Sequence, residues 1–278
     1  MPDIALVTDS TAYLTAEEVE QNHITVIPLT VNFDDGYIDD GLVEAEDFFA
    51  RVHRSQKMPF TSQPAVGQFA EAYQALLDQG KEIISIHISG KLSGTIESAG
   101  GAARMLDESR ISLVDSEQTS APLAYLVLAA AQWAAAGLSR QEIVARLEEE
   151  KTKIRTFFVP DTLEYLKKGG RIGGAAALLG TLLQIKPVLY LHQGRIEVFE
   201  KVRTRNKAIA RILEELPAEP AEAKVSVVHT LAKEEAEKIK EMILQQLPQA
   251  RVEVRELGPV ISVHTGPRVI GIVYWPQS

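Results

Sequence analysis

The stretch EIISIHISGKLSGTIESA, residues 82–99, is the part of the sequence that says most about the fold. It begins with an apolar run typical of a buried strand, continues with a loop rich in glycine and serine, and enters a helical pattern at Thr95. A strand that leads into a helix in this way is the repeating unit of a parallel sheet. The loop suits an anion, because glycine permits close backbone approach and helix N-termini favour negative charge. The alternative is that the loop only caps the helix.

The remainder of the chain extends this pattern and predicts an α/β protein with two domains. In the first half, strands such as residues 4–8 and 24–33 alternate with helices, which predicts a parallel sheet with helices on both faces. In the second half, Gln193-Gly194 joins two apolar runs as a hairpin would, which predicts a mixed sheet with helices. We place the domains at residues 1–153 and 154–278.

Composition limits the classes of function. The chain carries 29 Lys and Arg against 38 Asp and Glu, a net charge of −9, so bulk attraction to nucleic acid is not expected. The absence of cysteine excludes disulfides, thiolate zinc sites and a cysteine nucleophile, and fits a reducing compartment. No apolar run is long enough to span a bilayer, and the six histidines do not follow metal-site spacing. We therefore expect a cytoplasmic protein without a metal or a cofactor.

Polar residues follow three predicted strands of the first half, at Asp9-Ser10-Thr11, at Ser89 with Ser93, and at Asp115-Ser116. Since parallel strands place their carboxyl ends at one edge, we expect these residues to meet there. For Ser10 and Ser116, helix capping is the favoured interpretation. The loop 89–95 does not have the spacing of a Walker A loop or of the G-x-S-x-G nucleophile elbow.

In the second half, three features are candidates for a functional role. His264 lies in SVHTGP, which we interpret as a strand ending at a glycine-proline turn, and Arg171 is flanked by four glycines. The apolar run 175–191 either belongs to the core or lines a cavity. The basic residues of the third feature form either a solvated face or a docking patch, and they are Lys201, Arg203, Arg205, Lys207 and Arg211.

Several stretches, taken in order along the whole chain, resemble the DegV family of bacterial fatty-acid-binding proteins, which serve fatty acid kinase. They are IALVTDSTAYL, TSQPAVGQF, SGKLSGTIESA, VDSEQTS, DTLEYLKKGGRIGG with LLQIKPVL, KVRTRNKA and HTGP. The resemblance implies a long-chain fatty acid in a tunnel between two domains. It also implies that Thr61, Ser93 and His264 hold the carboxylate.

The resemblance implies further roles around that head group. Arg171 corresponds to the arginine associated with the phosphorylated head group, with Ser62, Gly94 and Thr265 nearby. Arg203 and Arg205 fall on the segment associated with kinase docking and transient membrane contact. The family often has glycine where this chain has Arg268.

The expected function is therefore that of a carrier rather than an enzyme. It presents the carboxylate to the kinase and carries fatty acid and acyl phosphate for phospholipid synthesis. One alternative is a hydrolase or acyltransferase with Ser93 as nucleophile, His264 as base and Asp9 or Asp115 as the orienting acid. Another alternative is a regulatory lipid sensor that works without a kinase.

Overall fold

The structure is a computed structural model that describes residues 3–41, 43–179, 185–217 and 222–277. The chain divides into two compact units. The first contains residues 1–32, 36–42 and 61–152, and the second contains residues 33–35, 43–60 and 153–278. The segment 43–60 thus groups with the second unit, although the sequence placed it within a first domain of residues 1–153. The domain limits at 153 and 154 stay a prediction.

The strands of the described residues form three sheets. In chain order they are β1 (Ile4–Asp9), β2 (Thr25–Ile27), β3 (Thr30–Phe33), β4 (Gly36–Asp39), β5 (Phe60–Ser62), β6 (Glu82–His87), β7 (Ile111–Asp115), β8 (Arg155–Val159), β9 (Lys186–His192), β10 (Arg195–Val202), β11 (Ala223–His229), β12 (Arg251–Glu256) and β13 (Ile270–Pro276).

The α-helices follow in the same way. They are α1 (Ala16–Gln21), α2 (Ala45–Arg54), α3 (Val66–Asp78), α4 (Thr95–Arg104), α5 (Ala121–Ala135), α6 (Arg140–Glu150), α7 (Glu164–Lys168), α8 (Arg205–Glu214), α9 (Lys233–Gln246) and α10 (Pro259–Thr265). Short 3₁₀ turns cover Ser10–Ala12, Glu108–Arg110 and Gly173–Leu178.

The first unit is built on a four-stranded parallel sheet in the order β2-β1-β6-β7. Its central strands, β1 and β6, are buried along almost their whole length, and helices α3, α4 and α5 pack against the sheet. The capping boxes that begin α1 at Thr15 and α6 at Ser139 are both present, with Glu18 and Glu142 returning the hydrogen bond. The predicted α/β class and the parallel sheet are confirmed.

The predicted strand 24–33 is two strands, β2 and β3, because residues 28 and 29 leave the ladder. Pro28 has no N–H to donate to a neighbouring strand. Leu29 is buried and its N–H donates to the Ser10 hydroxyl, while its carbonyl accepts from the Asp40 N–H. β3 then joins a separate three-stranded sheet in the order β4-β3-β5.

The second unit is built on a six-stranded mixed sheet in the order β10-β9-β8-β13-β11-β12. β11 and β12 are parallel, and the other neighbouring strands are antiparallel. The predicted hairpin is confirmed at Gln193 and Gly194, which have φ angles of 48° and 78°. Two successive positive φ angles are typical of the tight turns whose twist matches that of the flanking strands.

The stretch SVHTGP is not the end of a strand, so that prediction is wrong. Residues Pro259–Thr265 form α10, with Pro259 in its first turn and Gly266 at its end. The alternation of apolar and polar residues in ISVH fits a strand, but the Gly258-Pro259 pair upstream is a helix start signal that outweighs the alternation. His264 therefore lies in the last turn of a helix.

The apolar run 175–191 is divided among different environments. Ala175 and Leu178 are buried in the 3₁₀ turn, and Val188 and Leu189 are buried in β9. Val188 belongs to the core of the second unit. Residues 180–184 lie outside the described residues, so the alternative of a cavity lining stays open there. In the described ranges, no helix has both the length and the apolar character that crossing a bilayer requires.

Arg268 has a φ angle of 61°, a left-handed conformation that glycine adopts at much lower cost. Its N–H donates to the Thr230 carbonyl at 2.8 Å, and its own carbonyl accepts from Arg205, so the backbone alone makes these bonds. The side chain is exposed. This conformation explains why glycine suits the position.

We expect Arg268→Gly to raise the free energy of unfolding by about 1 kcal/mol, because it removes the left-handed strain and keeps both backbone bonds. Urea unfolding followed by circular dichroism measures the change. Arg251→Gly, at an exposed strand position, removes the same charge and should lower stability instead. A loss of stability in Arg268→Gly would contradict the prediction.

Candidate functional site

The carboxyl ends of β1, β6 and β7 meet at one edge of the parallel sheet, as the sequence predicted. The Ser116 hydroxyl after β7 donates to the His87 carbonyl at the end of β6 at 2.6 Å. The Ser89 N–H donates to the Gln118 carbonyl, and the Ser120 N–H donates to the Thr11 carbonyl. These loops therefore support one another.

Asp9 is the centre of this edge. Its side chain is fully buried and accepts hydrogen bonds from the Thr11 N–H, the Thr11 hydroxyl and the Ile88 N–H. The Nδ1 atom of His87 lies 3.0 Å from the second carboxylate oxygen. A buried carboxylate needs this number of donors, because losing water costs several kcal/mol.

A chain of hydrogen bonds connects Tyr73 of α3 with Asp9 through Ser85 and His87 of β6. The Tyr73 hydroxyl donates to Ser85 Oγ at 2.7 Å, and Ser85 Oγ lies 2.6 Å from His87 Nε2. Because a carboxylate can only accept, Nδ1 carries the proton that faces Asp9, and in a neutral imidazole Nε2 then accepts from the Ser85 hydroxyl. Burial raises the pKa of Tyr73, which keeps its hydroxyl protonated.

This Ser85–His87–Asp9 chain has the connectivity of a catalytic triad but not the access. All three side chains are 0% exposed, so the network supports the sheet edge. We did not identify it from the sequence. The available signal was two polar residues two positions apart in an otherwise apolar strand, which places both on one face of β6.

Ser10 and Ser116 both have structural roles. Ser10 Oγ accepts from the Leu29 N–H and donates to Asp40, and Ser116 Oγ accepts from the Gln118 N–H. The 3₁₀ turn after β1 is capped by Asp9 and not by Ser10. Neither hydroxyl caps a helix, so the capping interpretation is wrong. Both hydroxyls instead form hydrogen bonds that connect loops at the sheet edge.

The first half of the loop 89–95 holds an anion that belongs to the chain itself. The Gly90 N–H donates to the Asp115 carboxylate at 3.2–3.3 Å, and the Glu117 N–H donates to the same group at 2.9 Å. A Cβ at Gly90 would lie 3.0 Å from Asp115 Oδ2, so glycine makes room for the carboxylate. The close approach predicted at Gly90 is therefore to Asp115.

The second half of the loop carries the groups that suit a ligand. Ser93 Oγ lies 2.9 Å from the Thr95 hydroxyl at the start of α4, and Ser93 is half-buried. Gly94 is the residue before the first helical turn, where N–H groups generally lack a partner within the helix, although the Glu97 N–H donates to the Gly94 carbonyl at 3.1 Å. One of the two hydroxyls donates to the other, and Thr95 is fully buried. One hydroxyl proton and the first N–H groups of the helix are the neutral donors here that favour an anion.

The TSQP stretch lies next to this loop. Gln63 donates from Nε2 to the Ser98 hydroxyl at 2.9 Å, and its amide lies directly over the Cα of Gly94. Ser62 Oγ accepts from Asn32 Nδ2 at 2.9 Å. Gln63 thereby brings the stretch that contains Thr61 and Ser62 against the stretch that contains Ser93 and Gly94, all within the first unit.

The other predicted head-group residues lie in the second unit, where Gly169 brings Arg171 and His264 together. A Cβ at Gly169 would lie far inside contact distance of His264 Nδ1. The Arg171 guanidinium donates to the Gly169 carbonyl at 2.7 Å. Burial and, to a lesser degree, Arg171 lower the pKa of His264 to about 4, so the imidazole is neutral near pH 7.

The structure gives Thr265 a specific local bond. The Thr265 hydroxyl donates to the Ile261 carbonyl at 3.0 Å within α10. The hydroxyl proton is therefore engaged within α10, while the hydroxyl oxygen can still accept a hydrogen bond. A head-group role for Thr265 stays a prediction.

The predicted basic patch is only partly available to a partner. Arg205 forms a bidentate pair with Glu235 at 2.7 and 2.9 Å, and its side chain is 13% exposed. Arg211 is surrounded by three acidic side chains, those of Glu200, Glu214 and Glu215. Lys201, Arg203 and Lys207 are exposed.

Both acids of the hydrolase alternative have other partners. Asp9 faces His87, and Asp115 holds the loop N–H groups. Within the ranges that the structure describes, no cluster of three or more His, Asp or Glu side chains could hold a metal ion.

We expect the neutral state of His264 to make stability pH-dependent. As pH falls below 6.5 the unfolded chain takes up a proton that the folded imidazole accepts only near pH 4. The free energy of unfolding should therefore decline by up to roughly 1.4 kcal/mol per pH unit over that interval, and be unaffected by this group above it.

Urea unfolding between those pH values measures this contribution as the difference between wild type and His264→Gln, which cannot take up the proton. Acidic groups titrate in both proteins and cancel in the difference. Parallel pH profiles for the two proteins would contradict the assignment.

Comparisons with known proteins cover the full chain. The model of the DegV family, described as an uncharacterised protein family, matches residues 3–277. A DegV domain-containing protein of Halalkalibacterium halodurans is 38% identical, with 100% of both chains covered. Among solved structures, a DegV family protein from Thermus thermophilus, described by its fatty acid binding, is 35% identical with a TM-score of 0.93, covering 99% of this chain and 100% of that one.

A further solved structure carries a more specific description. It is a stearic acid-binding protein from Eubacterium ventriosum, which is 29% identical with a TM-score of 0.86, covering 99% of this chain and 98% of that one. The family model and the relatives from Halalkalibacterium halodurans and Thermus thermophilus identify the same family, and each match covers nearly the whole chain. The chain belongs to the DegV family.

Proposed function

We propose that this protein binds a long-chain fatty acid and holds the carboxylate with neutral hydrogen-bond donors. The observation that carries the proposal is the donor set at the start of α4. The Ser93 and Thr95 hydroxyls lie 2.9 Å apart, so one donates to the other and one hydroxyl proton remains, beside the first N–H groups of the helix. Neutral donors bind a carboxylate without an ion pair, so its oxygens keep capacity for a second partner.

Further residues join this donor set in the proposal. Thr61 and Ser62 follow from the neighbouring stretch that Gln63 ties to Gly94. His264 contributes a neutral imidazole, and Arg171, held beside it through Gly169, is proposed to face the phosphorylated head group. The relatives from Thermus thermophilus and Eubacterium ventriosum are described as binding fatty acid, which supports a ligand of this class.

Affinity for such a ligand comes mainly from the acyl chain. Each methylene transferred from water to a buried tunnel contributes about 0.8 kcal/mol, so a long chain outweighs a few hydrogen bonds. The head-group donors then determine which end of the ligand is presented and how it is oriented.

The finer proposal is that the carboxylate is presented to a fatty acid kinase. A carboxylate oxygen attacks the γ-phosphorus of ATP held by the kinase, a P–O bond forms, and ADP leaves. The protein then carries the acyl phosphate. The sequence supports this division of labour, because the one glycine-serine loop beside a predicted strand lacks Walker A spacing.

Docking of the kinase is proposed to involve Arg203 in particular. Arg203 is exposed, whereas the Arg205 guanidinium is engaged by Glu235 and the Arg268 carbonyl. Removing Arg205 therefore disturbs the packing of α8 and α9 as well as the surface charge. The same exposed cations would serve transient contact with an anionic membrane.

The first test is recovery of the ligand. Denaturing extraction of the purified protein followed by mass spectrometry should yield a long-chain fatty acid in near-stoichiometric amount. Native mass spectrometry should show the same mass difference. Recovery of no fatty acid, together with no binding of added stearate, would overturn the proposed function.

The second test separates the carrier from a sensor that has no kinase. Fatty acid kinase, ATP and Mg²⁺ should convert bound fatty acid to acyl phosphate, and Arg203→Ala should slow the transfer while leaving fatty acid bound. Arg195→Ala, at an exposed strand end, is the matched control. Ligand binding without transfer would favour the sensor.

We expect Ser93→Ala to weaken stearate binding by about fivefold, which corresponds to one hydrogen bond of ~1 kcal/mol. A displacement assay with a fluorescent fatty acid measures the change. Ser109→Ala removes a hydroxyl that donates to Asp107 in an exposed turn, and it should leave binding unchanged.

The same serine tests the hydrolase alternative. A fluorophosphonate probe labels an activated serine and should not label Ser93. Labelling that disappears in Ser93→Ala would establish the hydrolase and contradict the carrier.

A further inference from the structure

Gly169 is where three groups of the second unit meet. Its N–H donates to the Tyr165 carbonyl at 2.8 Å and ends α7. Its carbonyl accepts from Arg171 Nη1 at 2.7 Å. Its Cα faces His264, where a side chain would overlap Nδ1 and reach within 3.0 Å of Cε1.

The reason for glycine here is space and not backbone conformation. Gly169 has φ −77° and ψ −6°, angles that any residue adopts. The next residue, Gly170, shows the opposite case. It has a φ angle of 71°, and a Cβ there would meet no atom within 4 Å.

α7 and α10 also contact each other at a second glycine. A Cβ at Gly266, which follows α10, would lie 2.5 Å from the Tyr165 ring, so the end of the helix and the ring are in tight contact. Tyr165 in turn packs edge-on against Phe49, which is 2% exposed, with ring centroids 6.4 Å apart. α7 and α10 are thus in close contact at both Gly169 and Gly266.

We propose that Gly169 is the positioning residue of the head-group site: the missing side chain sets the orientation of the His264 imidazole, and the Gly169 carbonyl sets that of the Arg171 guanidinium. Tyr165, braced by Phe49, supports this arrangement. The inference rests on the proposed function for its ligand, but the orientation of the imidazole is a property of the protein alone.

The experiment compares Gly169→Ala with Gly170→Ala. Gly169→Ala should shift the His264 side-chain resonances in a ¹H–¹⁵N spectrum recorded without ligand. It should also weaken stearate binding tenfold or more while changing stearyl alcohol binding less than twofold, because the alcohol lacks the carboxylate.

Gly170→Ala is the matched control. It strains the backbone without touching His264, so it should lower the melting temperature and leave both the resonances and the acid-to-alcohol affinity ratio at their wild-type values. Equal effects of the two variants on that ratio would show a merely structural role and overturn the proposal.

A second variant keeps the proposal testable if Gly169→Ala does not fold. Tyr165→Leu retains Gly169 but removes the ring beneath Gly266, and it should shift the same resonances and lower the affinity ratio in the same direction. Unchanged His264 resonances in a folded variant of either kind would overturn the proposal. If wild type binds no fatty acid, the proposed function fails, and the resonance measurement still decides the positioning role.

Discussion

The buried carboxylate of Asp9 is the constraint on which the candidate site of the first unit depends. A carboxylate without water is tolerated only when donors surround it, and here they come from Thr11, His87 and Ile88. These residues belong to the 3₁₀ turn after β1 and to β6 with the residue that follows it, so satisfying the charge fixes how the two strand ends meet. Asp115 does the same for the start of the loop. Internal carboxylates thus shape the loop, and the external carboxylate that we propose as ligand would bind at the start of α4.

Local signals predicted much of the fold. The capping boxes at Thr15 and Ser139 and the hairpin at Gln193-Gly194 depend on residues a few positions apart, and the structure has all three. We did not predict α2, although its buried residues Ala45, Phe48 and Phe49 recur at helical spacing and would have indicated it. The end of α10 was predicted as a strand, because the four residues ISVH alternate and so short a run fits a strand as well as a helix.

For the candidate site, motif order predicted Ser93 and His264, and their head-group roles stay a prediction. The hydrogen-bond partners in and around the site could not be predicted. The Gly90 N–H donates to Asp115, and Arg205 pairs with Glu235. Both contacts depend on the packing of elements far apart in sequence. A positive charge in the printed sequence does not show whether an acidic neighbour already engages it.

The discontinuous grouping of residues 43–60 has a consequence for biosynthesis and for fragment design. α2 leaves the ribosome early, but Tyr165, against which Phe49 packs, is made only after the whole first unit. Until then Phe49 lacks this native contact, and an uncovered aromatic side chain is the kind of exposed surface that chaperones recognise. A fragment ending at Thr152 would lack the same contact, so the two units are not separable by a single cut.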